Sequence, residues 1–174
     1  MVIREARPDE LPAVGELRVR AYLAGGFLSP DSGYAPRLRA LGTDCPSSVL
    51  VAIAAADQAT PAGQIVGTIM LVSWPRTGEI ASSHDEAEIR ALAVAPGTQG
   101  RGIGRALLSA ALDRAVRQGA RSLVLSTQPE MRAAHRIYER AGFARQPHRD
   151  WSPEPGTELL VYALRLDART PSAS

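Results

Sequence analysis

The 174-residue chain has no lysine and no asparagine; all 20 of its Lys+Arg residues are arginine. That excludes every mechanism that needs a lysine amine and the lysine-containing phosphate loop of nucleoside triphosphatases. Cysteine occurs once, at Cys45, so no internal disulfide forms. Its neighbours in "TDCPSS" include no histidine or basic residue to activate it as a nucleophile. Aromatic residues make up only 5% of the chain, which leaves the core to aliphatic side chains. No apolar run approaches the roughly 20 residues that span a bilayer. An excess of charge of one sign is nearly absent too: 20 basic residues face 18 acidic ones, the formal net charge is +2 and no basic block occurs, which argues against nucleic acid as a partner. What remains, 45% hydrophobic and 22% charged residues, is the composition of an ordinary globular protein. We expect a single domain over 1–168, with a frayed tail over 169–174. "MVIREARPDEL" has no apolar signal core, so the start of the chain reads as mature and cytoplasmic.

Periodicity gives the order β-α-α-β-β-β-α-β-α-β-β. "VIREARP" (2–8) alternates as a first strand, with Asp9 as the cap of a helix carrying Leu11, Val14, Leu17 and Ala21 at helical spacing. "YAPRLRALG" predicts a short second helix. "SVLVAIAAA" (48–56), "QIVGTIMLVSW" (64–74) and "AEIRALAV" (87–94) read as strands, the first two as a hairpin around "DQATPAG". A third helix runs to about Gln118 with the stripe Ile103, Leu107, Ala111 and Ala115. "SLVLST" (122–127) is an apolar strand, "EMRAAHRIYERAG" (130–142) a fourth helix, and "FARQPHRDW" and "TELLVYALRL" two final strands.

Between the fourth strand and the third helix stands "APGTQGRGIG" (95–104), with four glycines in ten residues. The first turn of a helix has unpaired N–H groups and the positive end of the macrodipole, so glycines placed there let backbone donors reach an anion. Two phosphate loops are excluded. Gly97 and Gly102 have the triphosphate-loop spacing, but Ile103 stands where lysine is required. The dinucleotide fingerprint fails because its third glycine falls on Arg105 or Leu107.

The pattern that fits is Q-x-x-G-x-G, formed by Gln99, Gly102 and Gly104. On it, "LAVAPGTQGRGIGRALL" resembles the acyl-CoA motif of the GNAT family of N-acetyltransferases, and "AAHRIYERAGF" resembles that family's downstream motif; the two span about 85–143. The resemblance implies an α/β fold: a mixed, mostly antiparallel seven-stranded sheet with helices on both faces and a splayed central parallel strand pair. It implies acetyl-CoA as acetyl donor, with the pantetheine arm on the backbone of Leu92, Ala93 and Val94. The pyrophosphate would lie on the loop donors of Gln99, Gly100, Arg101, Gly102, Ile103, Gly104 and Arg105. Arg101 and Arg105 would add charge, and the N–H near Val94 would polarise the thioester carbonyl.

Tyr138 falls where the family carries its acid for the departing thiolate. Glu88 falls where several members carry the general base, with Glu86 or water as alternatives. Met131 stands where many members carry asparagine, so that contact to the pantetheine is lost or passes to Gln128 or a backbone group. The implied reaction is acetyl transfer to a small-molecule or peptide amine by direct attack in a ternary complex; a homodimer is compatible with the family's habits. The acceptor is open. Acidic residues of "HDEAE" (84–88) would suit a cationic amine, while a metal site there lacks a second ligand stretch. The reading from a different class is a domain of the same fold that binds acyl-CoA as a sensor and turns nothing over. His135, His148, Trp74 and Trp151 read as structural.

Overall fold

Fourteen residues from Leu11 to Ala24 form the first helix, α1, because Leu11, Val14, Leu17 and Ala21 share one face and all four are buried. The computed structural model describes residues 1–45, 49–55, 62–73, 78–154 and 156–166. Trp74, most of the expected hairpin turn and the tail lie outside the described residues. The helices are α1 (Leu11–Ala24), α2 (Ala35–Ala40), α3 (Ile103–Arg117) and α4 (Arg132–Arg140). The strands are β1 (Val2–Glu5), β2 (Val49–Ile53), β3 (Ile65–Val72), β4 (Glu86–Val94), β5 (Ser122–Thr127), β6 (Ala144–Arg145), β7 (Trp151–Glu154) and β8 (Thr157–Arg165).

The sheet order is β1-β2-β3-β4-β5-β8-β6, with β7 paired to β8. The registered pairs are antiparallel except β4–β5, which is parallel. Among the described residues the sheet has eight strands where seven were expected, and the difference lies in "FARQPHRDW". Pro147 has no N–H to give a ladder, and a 3-10 turn over Pro147–Arg149 separates the two-residue β6 from β7. Across that turn Arg145 donates two bonds to Asp150 (2.8 and 2.7 Å), and Asp150 accepts the Val161 N–H of β8 (2.8 Å). The start of the chain differs as well: β1 stops at Glu5, and Asp9 does not cap α1. Glu10 performs the local work, accepting the Arg7 N–H (2.9 Å) and two bonds from Arg4 (2.8 and 2.7 Å). The Arg4 guanidinium pulls the Glu10 carboxyl down to about 2.

The chain packs as two compact units, one of 1–70 and 91–111, the other of 71–90 and 112–174. In the first, Leu17 and Ala21 of α1 form a cluster with Ala93 and Ala95. Gly67 of β3 lets Ile103 and Leu107 of α3 come so close that a Cβ there would meet both at 2.9 Å. The expected α3 stripe is buried throughout. In the second, β5 pairs β4 on one side and β8 on the other, which explains its apolar sequence. Among the described residues no helix is long and apolar enough to cross a membrane.

Candidate functional site

In the first unit, β4 leads into the glycine segment. The Ala95 N–H bonds to the Val66 carbonyl (2.9 Å), and Thr98 bonds back to the Ala95 carbonyl through its N–H (3.1 Å) and its hydroxyl (2.8 Å). These bonds fix the loop's entry. Gly97, Gly100 and Gly102 then take φ of +84°, +79° and +79°, a region that side chains other than glycine's resist. A Cβ built on any of the three meets nothing within 4 Å, so these glycines bound open space. The intrahelical ladder begins with Ala106 N–H to the Gly102 carbonyl (3.0 Å). Among the described residues no carbonyl accepts from the N–H groups of Gly100, Gly102, Ile103, Gly104 or Arg105. Arg101 and Arg105 are exposed beside them. Gly100, Gly102 and Arg105 are exposed and Ile103 and Gly104 buried, so part of this helix N-terminus offers accessible backbone donors, the kind of group that can bind an anion. Gln99 precedes the cluster, and Leu92, Ala93 and Val94 close β4 in the same unit.

Sequence reasoning missed Ala91. It is the one non-glycine residue with positive φ, +50°, among the described residues. The left-handed region costs an L-residue about 1–2 kcal/mol. β4 pairs with β5 in register from Glu86↔Ser122 to Ile89↔Leu125 and no further, although β4 runs on to Val94 and β5 to Thr127. The kink at Ala91 closely follows that last pair. Nothing in "IRALAV" signals it, because alanine carries no turn preference of its own.

In the second unit, Tyr138 is buried on α4. Gly142 ends the helix region at φ +95° and turns Phe143 back, so that the Phe143 N–H bonds to the Tyr138 carbonyl (3.0 Å). The Tyr138 ring lies 6.0 Å from that of Phe143 and 6.2 Å from that of Tyr162, both tilted. The Tyr-x-x-x-Gly-Phe spacing thus sets the phenol in an aromatic clamp. His135 Nε2 bonds to the Gln128 carbonyl (3.0 Å), and its ring packs on Tyr162 at 5.6 Å. Met131 caps α4, and its sulfur accepts the Thr127 hydroxyl at 3.5 Å.

Glu88 is 1% exposed. Its Oε2 accepts the N–H groups of Ile80 (2.8 Å) and Ala81 (3.1 Å), and its Oε1 lies 3.7 Å from Arg90 Nε. Gly78 allows this, because a Cβ there would collide with the carboxylate. Glu86 is engaged more fully: Arg149 donates two bonds to it (2.7 and 3.0 Å), and Ser82 adds its N–H (2.7 Å) and hydroxyl (2.9 Å). Arg149 holds the Glu86 carboxyl down to about 2. Glu79 pairs with Arg90 at 2.7 Å. Among the described residues no group of three His, Cys, Asp or Glu side chains is placed to hold an ion.

Three comparisons bear on these elements. The model of the acetyltransferase (GNAT) family matches residues 12–143. Curated relatives include mycothiol acetyltransferase of Cellulomonas flavigena, 34% identical over 107 residues, covering 56% of this chain and 31% of the relative. That of Beutenbergia cavernae is 36% identical over 77 residues, covering 44% of this chain and 25% of the relative. The chain thus spans about a third or less of the length of these relatives. Solved structures with the same fold include a GNAT-family acetyltransferase from Staphylococcus aureus (TM-score 0.72, 19% identity, covering 95% of this chain and 98% of that one). Another is the yncA acetyltransferase of Salmonella typhimurium with its cofactor acetyl-CoA (TM-score 0.68, 24% identity, covering 99% and 98%).

Proposed function

Because the chain belongs to the acetyltransferase (GNAT) family, we propose that it moves an acetyl group from acetyl-CoA to a primary amine. The observation that carries the reading is the glycine segment: three left-handed glycines bound open space, and among the described residues the N–H groups of Gly100 and Gly102 have no carbonyl partner. In this reading Gln99 to Arg105 hold the pyrophosphate of the donor, Arg101 and Arg105 add charge, and Leu92 to Val94 hold the pantetheine arm. Acetyl-CoA supplies an acyl group on a thiol leaving group. Over the reaction one C–N bond replaces one C–S bond, and one proton passes from nitrogen to sulfur.

Two residues manage that proton. Tyr138 donates toward sulfur; a thiol leaving group needs only a phenol within reach. Glu88 accepts from the amine, through water and by Oε1, since Oε2 is occupied by two backbone donors. Glu86 does not suit this role. Arg149 and Ser82 bind it and its carboxyl is held to about 2, which makes it too weak a base near neutral pH.

The test is calorimetric titration with acetyl-CoA, with ATP and NAD as controls, followed by CoA release across a panel of amines. Binding by acetyl-CoA alone, with turnover that Tyr138→Phe removes, supports the reading. Failure of a folded protein to bind any CoA species overturns it. Binding without turnover for any amine replaces it with the sensor.

A further inference from the structure

We infer that the acceptor is a primary amine bearing an aromatic or branched aliphatic group close to its nitrogen, and that the segment from the end of α1 to α2 recognises that group. The inference rests on the acetyltransferase reading and names its second substrate.

The observations come from the first unit. Ala91, the strained residue that opens the last turn of β4, packs against a buried cluster of Val19, Ala35 and Leu38. Tyr22, Leu28, Tyr34 and Leu41 pack against the same cluster, and each is only partly buried. Tyr22 also packs against the cluster of Ala93 and Ala95, and Phe27 meets its ring edge-on at 6.4 Å. The chain has only eight aromatic residues in all, two Trp, four Tyr and two Phe. Three of them, Tyr22, Phe27 and Tyr34, stand close together in the chain here and keep part of their surface open. A chain short of aromatics that leaves them half-covered beside the strand proposed to hold the thioester presents an apolar surface suited to an apolar group.

Charge points the same way. Of the "HDEAE" carboxylates that made a cationic acceptor attractive in the sequence, Glu86 and Glu88 are engaged by Arg149, Arg90 and backbone N–H groups of their own unit, and Asp85 lies 3.3 Å from His84. On the α1–α2 segment the sole carboxylate is Asp31, which is exposed. A polycation such as a polyamine gains little from a single exposed carboxylate, whereas an aromatic group gains from every ring it covers.

The experiment measures initial rates with acetyl-CoA and three probes: 2-phenylethylamine, phenylalanine amide and spermidine. Parent, Tyr34→Ser, Leu28→Ser and Asp31→Asn are compared, with acetyl-CoA affinity measured for each. We expect kcat/KM at least about tenfold higher for the aromatic amines than for spermidine, the scale on which an apolar pocket discriminates. Tyr34→Ser and Leu28→Ser should each remove most of that preference by raising KM for the aromatic amines, with acetyl-CoA affinity unchanged. Asp31→Asn should leave it intact. A preference for spermidine, or its loss in Asp31→Asn, overturns the inference, as does an aromatic preference that survives both serine variants. Acetyl-CoA binding without turnover of either aromatic amine overturns it and leaves the cofactor assignment standing. Loss of acetyl-CoA binding in the parent overturns the reading beneath it.

Discussion

Arg149 and Glu86, 63 residues apart in the chain, are joined by two hydrogen bonds of 2.7 and 3.0 Å, and the same guanidinium donates to the Ile80 carbonyl at 2.6 Å. One side chain thereby fastens the segment before β4 to the turn after β6. Bonds of this kind, between charged groups with little exposure, contribute about 1.5–3 kcal/mol. Arg149→Met should lower stability by roughly 2 kcal/mol at neutral pH, read from denaturant unfolding.

The acid dependence follows from Glu86. Its folded value, about 2, lies below the ordinary 4.5 because Arg149 bonds to the charged form. A depressed carboxyl contributes stability that is complete above its unfolded value and is lost as pH falls through the folded one. The Tm gap between parent and Arg149→Met should therefore stay constant from pH 7 to about 5 and close toward pH 2. A gap that is flat down to pH 2 would mean that the pair is not the cause.

Gly102 and Gly119 form a matched pair. Both take φ near +80°, and at both an added Cβ meets nothing within 4 Å. Gly102→Ala and Gly119→Ala should each cost about 1–2 kcal/mol through backbone strain alone. Only Gly102→Ala should weaken acetyl-CoA binding, by about tenfold or more, because only that loop holds the pyrophosphate in the proposed reading. Equal affinities in the two variants would remove the loop from the cofactor site.

Ala91 is strained at φ +50° yet packs against Val19, Ala35 and Leu38. In Ala91→Gly, relief of strain and loss of the methyl contact oppose one another, leaving stability within about 1 kcal/mol of the parent. Ala91→Val puts a β-branched side chain into the left-handed region and should cost about 2 kcal/mol or more. Thermal unfolding of the two variants checks the kink directly; equal tolerance of glycine and valine would mean that the kink is absent.

Tyr138→Phe and Glu88→Gln should separate the two ends of proton transfer. Tyr138→Phe keeps the aromatic clamp with Phe143 and Tyr162 and should lower kcat about 100-fold with acetyl-CoA affinity unchanged. Glu88→Gln should lower kcat about 100-fold with acetyl-CoA affinity unchanged. An unchanged kcat assigns the proton to water and leaves Glu88 as the anchor of Ile80 and Ala81.

The local pattern of this chain was readable because it is dictated by residues close together in sequence. Leu11, Val14, Leu17 and Ala21 had to share a helix face; Pro, Gln and glycines at 96–104 had to break between strand and helix; and the Tyr138-to-Phe143 spacing had to fold back through Gly142. Tertiary structure decided what depends on partners far along the chain. "FARQPHRDW" is not one strand because Arg145 and Asp150 close a turn that β8 holds through Val161. Glu86 and Glu88 do not face a cationic substrate as free acids because Arg149 and the 80–81 backbone occupy them. Ala91 is kinked although alanine favours no kink, since packing with α1 and α2 sustains a conformation that its own backbone resists. Periodicity and turn chemistry act within a few residues, while ion pairs and strain are set by whatever the finished fold brings alongside.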